Sequence, residues 1–291
     1  MVPRPRTVHT QDGLTLHLVD VPTGGTPCLL LHGFGHEAHV WDDFVPFVVP
    51  WLRPMALDFR GHGESDWDPQ ARYDRATLVA DVRAVLDALR LEQVVIVGHS
   101  LGGEVATCFA ATEPDRVRAL VLVDTGPELN RIGVDHIRAD TAASPRVHRT
   151  VDDYARHLAD RHVLARPSTL ARLARHGVRR RDDGLLERRV DPTFERGSRR
   201  WRPRGVVTES RYVEPTLWDA LGRIRCPTLV VRGVRSGMLA KDVAERMPRV
   251  LRDGRLVTVP LAGHVVMVDN PEGFGEEVSS FLRRSVARWA R

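Results

Sequence analysis

The stretch Val94-Val95-Ile96-Val97-Gly98-His99-Ser100-Leu101-Gly102-Gly103 decides how this chain reads. Four consecutive β-branched residues make a short strand that is apolar on both faces, as a strand buried inside a sheet would be. Residues 101–111, rich in small side chains, read as a helix. Between them stands Gly98-x-Ser100-x-Gly102. The pattern G-x-S-x-G is weak by itself. Between a strand and a helix it gains meaning, because glycines let the backbone turn sharply and lift the serine hydroxyl above the sheet edge. The competing reading is a structural turn whose serine caps the helix.

Outward from this stretch, strand and helix alternate. Residues 7–19 read as a hairpin, with Asp12-Gly13 as the turn and Leu14, Leu16 and Leu18 on one face. Residues 28–31 are a short buried strand leading into His32-Gly33-Phe34-Gly35. A helix is expected over residues 41–52, made irregular by Pro46 and Pro50. Residues 55–57 form a strand that runs into Asp58-Phe59-Arg60-Gly61-His62-Gly63-Glu64-Ser65. Residues 76–91 have helical spacing, with Leu78, Val82, Val85, Leu86 and Leu89 on one face. Residues 119–123 are another strand. Alternation of this kind argues for a parallel sheet covered by helices on both faces. It stops over residues 126–216, which are charged, show no clear strand, and read as helical at 151–164 and 168–178. It resumes with a strand at 228–231, a helix near 241–247, a strand at 255–259 and a last helix at about 272–289. The expected organisation is a core of residues 1–125 and 217–291, interrupted by a helical insertion at 126–216.

A nucleophilic serine needs a base. Of 13 histidines, His264 stands out by position. It lies in Leu261-Ala262-Gly263-His264, just beyond the last predicted strand, where a loop at the carboxyl edge of the sheet reaches Ser100. His99 adjoins the serine but should point elsewhere from a tight turn, and His32 should shape its own loop. A developing oxyanion needs preorganised N–H donors. Leu101 N–H, at a helix start, has no partner within the helix. Phe34 N–H, after the 28–31 strand, is expected as the second. The alternative for residues 32–35 is an ordinary glycine turn.

Taken together, His32-Gly33-Phe34-Gly35, the 58–65 segment, Gly98–Gly103 and Ala262-Gly263-His264 follow the order and spacing of the α/β-hydrolase superfamily, which this chain resembles over residues 7–125 and 217–291. The resemblance implies an α/β-hydrolase fold with a mostly parallel sheet, and makes residues 126–216 the helical cap. It names no substrate. It also exposes a departure. Most members of the superfamily carry the acid that supports the histidine in the loop after the next-to-last strand. Here that loop is Arg232-Gly233-Val234-Arg235-Ser236-Gly237-Met238-Leu239, without Asp or Glu, and Ser236 and Gly237 stand where the acid would be sought. Three readings compete. Asp124, closing the neighbouring strand, supplies the carboxylate, as in some members of the superfamily; or Ser100 and His264 act as a dyad; or another acid such as Glu128 or Asp58 serves. Asp124 is also readable as a loop or capping residue.

Composition bounds the remainder. The chain has 291 residues, 42% of them hydrophobic, enough for a large core. Its formal charge is +5, and Lys241 is the single lysine. Residues 131–216 hold about 20 arginines against about 12 acids. That excess suits an anionic substrate, or simply a solvated surface. No interleaved aromatics point to nucleic acid, and no apolar run approaches the roughly 18–20 residues of a membrane span. The first residues lack the apolar segment of a secretory signal. Cys28, Cys108 and Cys226 are far apart, which implies no disulfide, no zinc site and a reducing, cytoplasmic setting. No cofactor is expected, and the partner is a small-molecule substrate. Trp41, Trp201, Tyr212 and Trp218 are candidate pocket residues, with core packing as the alternative for each. Three activities fit: hydrolysis of an ester, lactone or related carbonyl compound through Ser100; non-hydrolytic lyase or cofactor-free oxygenase chemistry with His264 and Asp124 as the base; or small-molecule binding as a receptor.

Overall fold

The computed structural model describes residues 2–194 and 206–287. In chain order the first half runs β1 (Arg4–His9), β2 (Thr15–Asp20), β3 (Thr26–Leu31), α1 (Val45–Val48), β4 (Leu52–Leu57), α2 (Arg75–Ala88), β5 (Val94–His99), α3 (Leu101–Thr112) and β6 (Val117–Val123). There follow β7 (Glu128–Asn130), α4 (Arg131–Ala143), β8 (Val147–His148), α5 (Val151–Arg161), α6 (Pro167–His176), β9 (Val178–Arg180), β10 (Leu186–Arg188), β11 (Val206–Val207) and β12 (Arg211–Val213). The chain closes with α7 (Pro215–Arg223), β13 (Thr228–Gly233), α8 (Lys241–Val250), β14 (Gly254–Val259), α9 (Val266–Asp269) and α10 (Pro271–Ala287).

One eight-stranded sheet carries the fold, in the order β1-β2-β4-β3-β5-β6-β13-β14. The β1–β2 and β2–β4 pairs are antiparallel and the rest are parallel. Alternating side chains along each central strand go to opposite faces. Cys28, Leu30, Val95, Val97, Ala119 and Val121 enter one core, which α1 and α10 cover with Val48, Phe274, Val278 and Leu282. Leu29, Leu31, Val94, Ile96, Leu120 and Leu122 enter the other, covered by α2, α3 and α8 with Val82, Val85, Phe109 and Met247. Each such fully buried Val, Leu, Ile, Phe or Met side chain contributes about 1.5–3 kcal/mol of transfer free energy. A strand buried on both faces has no polar side, which is why β5 reads as an uninterrupted apolar run.

Two expectations need correction. The helix expected over residues 41–52 reduces to a 3-10 turn at Ala38–Trp41 and the single turn α1, and the chain is already in β4 at Leu52. Pro46 and Pro50 cannot donate the backbone hydrogen bonds that a continuous helix requires. Residues 126–216 do contain strands, in two small sheets ordered β8-β10-β9 and β11-β12-β7. Strands of two or three residues are too short to show alternation, and two of their four pairings join distant segments: Arg211 pairs with Asn130 and Leu186 with His148.

Candidate active site

The β5–α3 turn is strained at one residue. Ser100 has φ 50° and ψ −117°, a conformation that costs a non-glycine residue roughly 1–3 kcal/mol. The surroundings hold it there. Ser100 N–H donates to Val123 O at 3.0 Å, and Ser100 O already accepts from Gly103 N and Glu104 N. The flanking glycines are required by contact: a Cβ at Gly98 would lie 2.5 Å from Gly102 O, and one at Gly102 would lie 2.3 Å from Leu31 O. The serine side chain makes no capping bond to the helix. Its Oγ instead faces His264, with Nε2 at 3.2 Å.

Three segments meet at His264. Its Nδ1–H donates to Asp124 Oδ2 at 2.8 Å, which leaves Nε2 as the acceptor toward Ser100. Its backbone oxygen accepts from His99 Nε2 at 2.9 Å, so His99 braces the loop. Asp124 ends β6, is fully buried, and has φ 46°, a conformation Asp and Asn tolerate better than other side chains. Parallel pairing of β6 with β13 sets Asp124 against the loop that lacks an acid. Gly233 N–H donates to Asp124 Oδ1 at 3.3 Å, and Ser236 Oγ–H to Oδ2 at 2.5 Å. Ser236 Oγ in turn accepts from Met238 N and Leu239 N, both at 3.1 Å. The other acids considered are engaged elsewhere. Glu128 binds Arg211, Trp218 and Arg246. Asp58 binds His17, Ala38 N and Glu64 N.

The loop that carries Phe34 is braced by two neutral histidines. His32 Nε2 accepts from Phe59 N at 3.0 Å while its Nδ1–H donates to Gly33 O at 2.7 Å. His62 Nε2 accepts from Gly35 N at 3.2 Å while its Nδ1–H donates to Arg60 O. Accepting an N–H requires the unprotonated ring, and burial enforces that state: it lowers the His32 pKa and pushes His62 down to about 3. Arg60, itself buried, anchors the segment below through Asp81, Asp68 and Asp12.

Above these groups lies a cavity of about 1360 Å³, lined by Ser100, His264, Phe34, Leu101 and, from the 126–216 segment, residues including Tyr154, His162 and Tyr212. Tyr212, a candidate pocket residue, is among those that line this cavity. Trp41 and Trp218 are not among the lining residues. Trp41 is fully buried against Phe44 and Phe274. Trp218 turns away on α7, its Nε1–H on Glu128 and its ring under the Arg246 guanidinium at 4.6 Å. Trp201 lies outside the described residues. Sequence reasoning gave no role to Ser236, His36 or His162. The only sequence signal was the position of Ser236 in the acid-free loop.

The sequence model of the alpha/beta hydrolase fold matches residues 26–271. The chain is 32% identical to the sn-1-specific diacylglycerol lipase ABHD11 of Mus musculus, over 92% of this chain and 85% of that protein. It is 25% identical to the 2-(acetamidomethylene)succinate hydrolase of Mesorhizobium japonicum, over 89% of this chain and 88% of that protein. The crystal structure of E-2-(acetamidomethylene)succinate hydrolase superposes with a TM-score of 0.84 at 24% identity, over 97% of this chain and all of that one, a likeness of fold. No described helix is long and apolar enough to cross a membrane. With its eight-stranded sheet, its serine on a strained strand-to-helix turn and this match across most of its length, the chain belongs to the α/β-hydrolase fold family of enzymes.

Proposed function

We propose that this enzyme is a serine hydrolase acting on an ester, lactone or related carbonyl compound. The observation that carries the reading is the hydrogen-bonded chain from Asp124 through His264 to Ser100 on the floor of a cavity. Ser100 Oγ attacks the acyl carbon while His264 Nε2 takes its proton. Asp124 holds the imidazole in the Nδ1–H tautomer and stabilises the imidazolium. The carbonyl oxygen becomes an oxyanion, received by the N–H groups of Leu101 and Phe34. Collapse expels the leaving group, which takes the proton from His264. Water, deprotonated by His264, then attacks the acyl-serine and restores the free hydroxyl. The Ser100–His264 distance of 3.2 Å is at the long end for proton transfer, as is usual before substrate tightens the site. Residues 126–216 act as a cap that closes over the acyl group and selects it. The printed names of the mouse and Mesorhizobium relatives, a lipase and a hydrolase, support the hydrolytic reading.

A neutral fluorophosphonate tests it. The reagent is expected to modify Ser100 stoichiometrically, and Ser100→Ala to abolish both labelling and turnover of short-chain aryl esters. Turnover that survives Ser100→Ala would refute a nucleophilic serine and favour His264–Asp124 as a base for non-hydrolytic chemistry.

A further inference from the structure

One imidazole on the cavity wall has no part in the mechanism above. His36 follows Phe34 by two residues, and its backbone N–H donates to Gly33 O at 3.2 Å, which holds it on the turn that presents the Phe34 N–H. Its ring lines the cavity. The ring centroid lies 5.8 Å from that of His99, the neighbour of Ser100, and 5.8 Å from that of His162, which caps the C-terminus of α5. His36 thus stands between the turn that carries the nucleophile and the segment that follows β6. The other histidines of this region serve the fold. His32 and His62 each use both ring nitrogens on backbone groups, and His99 Nε2–H donates to His264 O. Nothing in the fold uses the His36 ring in this way.

The state of that ring follows from its surroundings. Its Nδ1 is buried and has no hydrogen-bond partner among the described residues, so Nε2 is the nitrogen left to face the cavity. Burial, reinforced by the imidazoles of His162, His99, His32 and His264, holds His36 well below its usual value. His162 is itself brought down to about 4 by burial and by Arg161, and Arg161 is paired with Asp140. The neighbouring Glu37 carboxyl accepts from His39 N–H instead. The His36 ring is therefore neutral at pH 7 and carries one proton. Buried donors left without an acceptor are rarer than under-used buried acceptors. The proton belongs on Nε2, with Nδ1 bare, and His36 offers the cavity an uncharged N–H donor.

We infer that His36 Nε2–H is a specificity contact for an uncharged carbonyl oxygen on the acyl group, away from the scissile bond, so that the enzyme favours acyl chains bearing a keto or amide carbonyl. The inference deepens the serine hydrolase reading above and rests on it. A plain alkyl chain packed against this ring would take water from the donor and return nothing, and a site built to hydrogen-bond a substrate group rejects the analogue that lacks it for that reason.

The test uses p-nitrophenyl esters of one chain length, with a single keto carbonyl moved stepwise along the acyl chain, each compared with the parent alkanoate. At least one keto ester is expected to exceed the parent in kcat/KM by on the order of ten-fold. His36→Phe keeps a ring and removes the donor, and should bring that ratio close to one. His36→Gln returns an N–H and should recover part of it. Because the ratio is taken within each enzyme, changes common to both esters cancel. In wild type the ratio should also be flat between about pH 6 and 8, as an uncharged donor requires. A ratio that climbs as pH falls through this range would overturn the neutral donor without recourse to any variant. A series in which no keto ester outruns the parent, or a ratio that persists in His36→Phe, would overturn the specificity contact and leave Ser100 standing as nucleophile. If a neutral fluorophosphonate leaves Ser100 unmodified, the hydrolase reading fails and the inference falls with it.

Discussion

Replacing Asp124 by Asn isolates the contribution of one carboxylate. The substitution keeps side-chain shape, and Asn is as comfortable as Asp at φ 46°, so the β6 terminus is not strained by the exchange. What changes is hydrogen-bond polarity. Asp124 accepts from three donors: Gly233 N–H, Ser236 Oγ–H and His264 Nδ1–H. An amide offers one accepting atom and one donating atom. Gly233 N–H cannot become an acceptor, so it claims the amide oxygen. The NH₂ group then faces Ser236 and His264. Ser236 Oγ already accepts from Met238 N–H and Leu239 N–H, so its hydroxyl proton is left facing the NH₂ group, which adds to the cost of the exchange. His264 must present a bare Nδ1, which places its proton on Nε2, directed at Ser100 Oγ. In that tautomer it cannot act as the base. Loss of the correct tautomer in an established serine triad costs about 10⁴-fold in rate, or roughly 5.5 kcal/mol at 1.36 kcal/mol per decade. The assay is kcat on a short-chain aryl ester for wild type and Asp124→Asn, with thermal unfolding to verify that the variant is folded. A folded Asp124→Asn enzyme whose kcat lies within ten-fold of wild type refutes the assignment, and a Ser100–His264 dyad would take its place.

Three further outcomes follow from the same contacts. Ser236→Ala removes a hydrogen bond to a buried carboxylate and leaves Met238 N and Leu239 N without their acceptor, so kcat should fall by roughly 10–100-fold, at about 1.5–3 kcal/mol for a bond to a charged group; an unchanged kcat–pH profile would mean that Ser236 does not hold Asp124. Gly102→Ala should lower the unfolding free energy by more than about 2 kcal/mol in urea titration, because its Cβ would press on Leu31 O, whereas Gly237→Ala, with open space around it, should change it by under about 0.5 kcal/mol. Acidification should destabilise the fold below about pH 6.5: His62 and His162 have folded-state values pushed down to about 3 and about 4, so the unfolded chain binds protons that the folded chain refuses, and stability present above pH 6.5 is lost as pH falls toward 3. At about 1.4 kcal/mol per unit of displacement, His62 alone accounts for a loss on the order of 5 kcal/mol, and a stability that is flat between pH 6.5 and 4 would contradict it.

Much of this protein is written locally in its chain. The strand, turn and helix around Ser100 are legible because their cues are short-range: β-branched residues, glycines at two fixed positions, then small helix-compatible side chains. His264 is legible because chain order places its loop at the carboxyl edge of the sheet. The acid-free loop at residues 232–239 is legible as an absence that leaves Asp124 as one of three readings, and only the folded chain sets the Asp124 carboxylate against His264 Nδ1. Other features have no local cue. Ser236 reaches Asp124 only because β6 and β13 pair in a particular register across more than a hundred residues of chain. The short strands beyond β6 are completed by distant partners: β7 pairs with β12 and β8 with β10. Trp41 and Trp218 are each a large aromatic in a helix-like setting, and nothing in that setting says which face meets the cavity; packing against Phe274 and Arg246 decided it. The cavity wall likewise gathers His36 from the loop after β3, Tyr154 and Arg161 from α5 and Arg188 from β10, which sequence separates and only the folded chain brings together. Patterns with a short period are fixed by the nearest neighbours along the chain, whereas the direction a single side chain faces is fixed by what packs beside it.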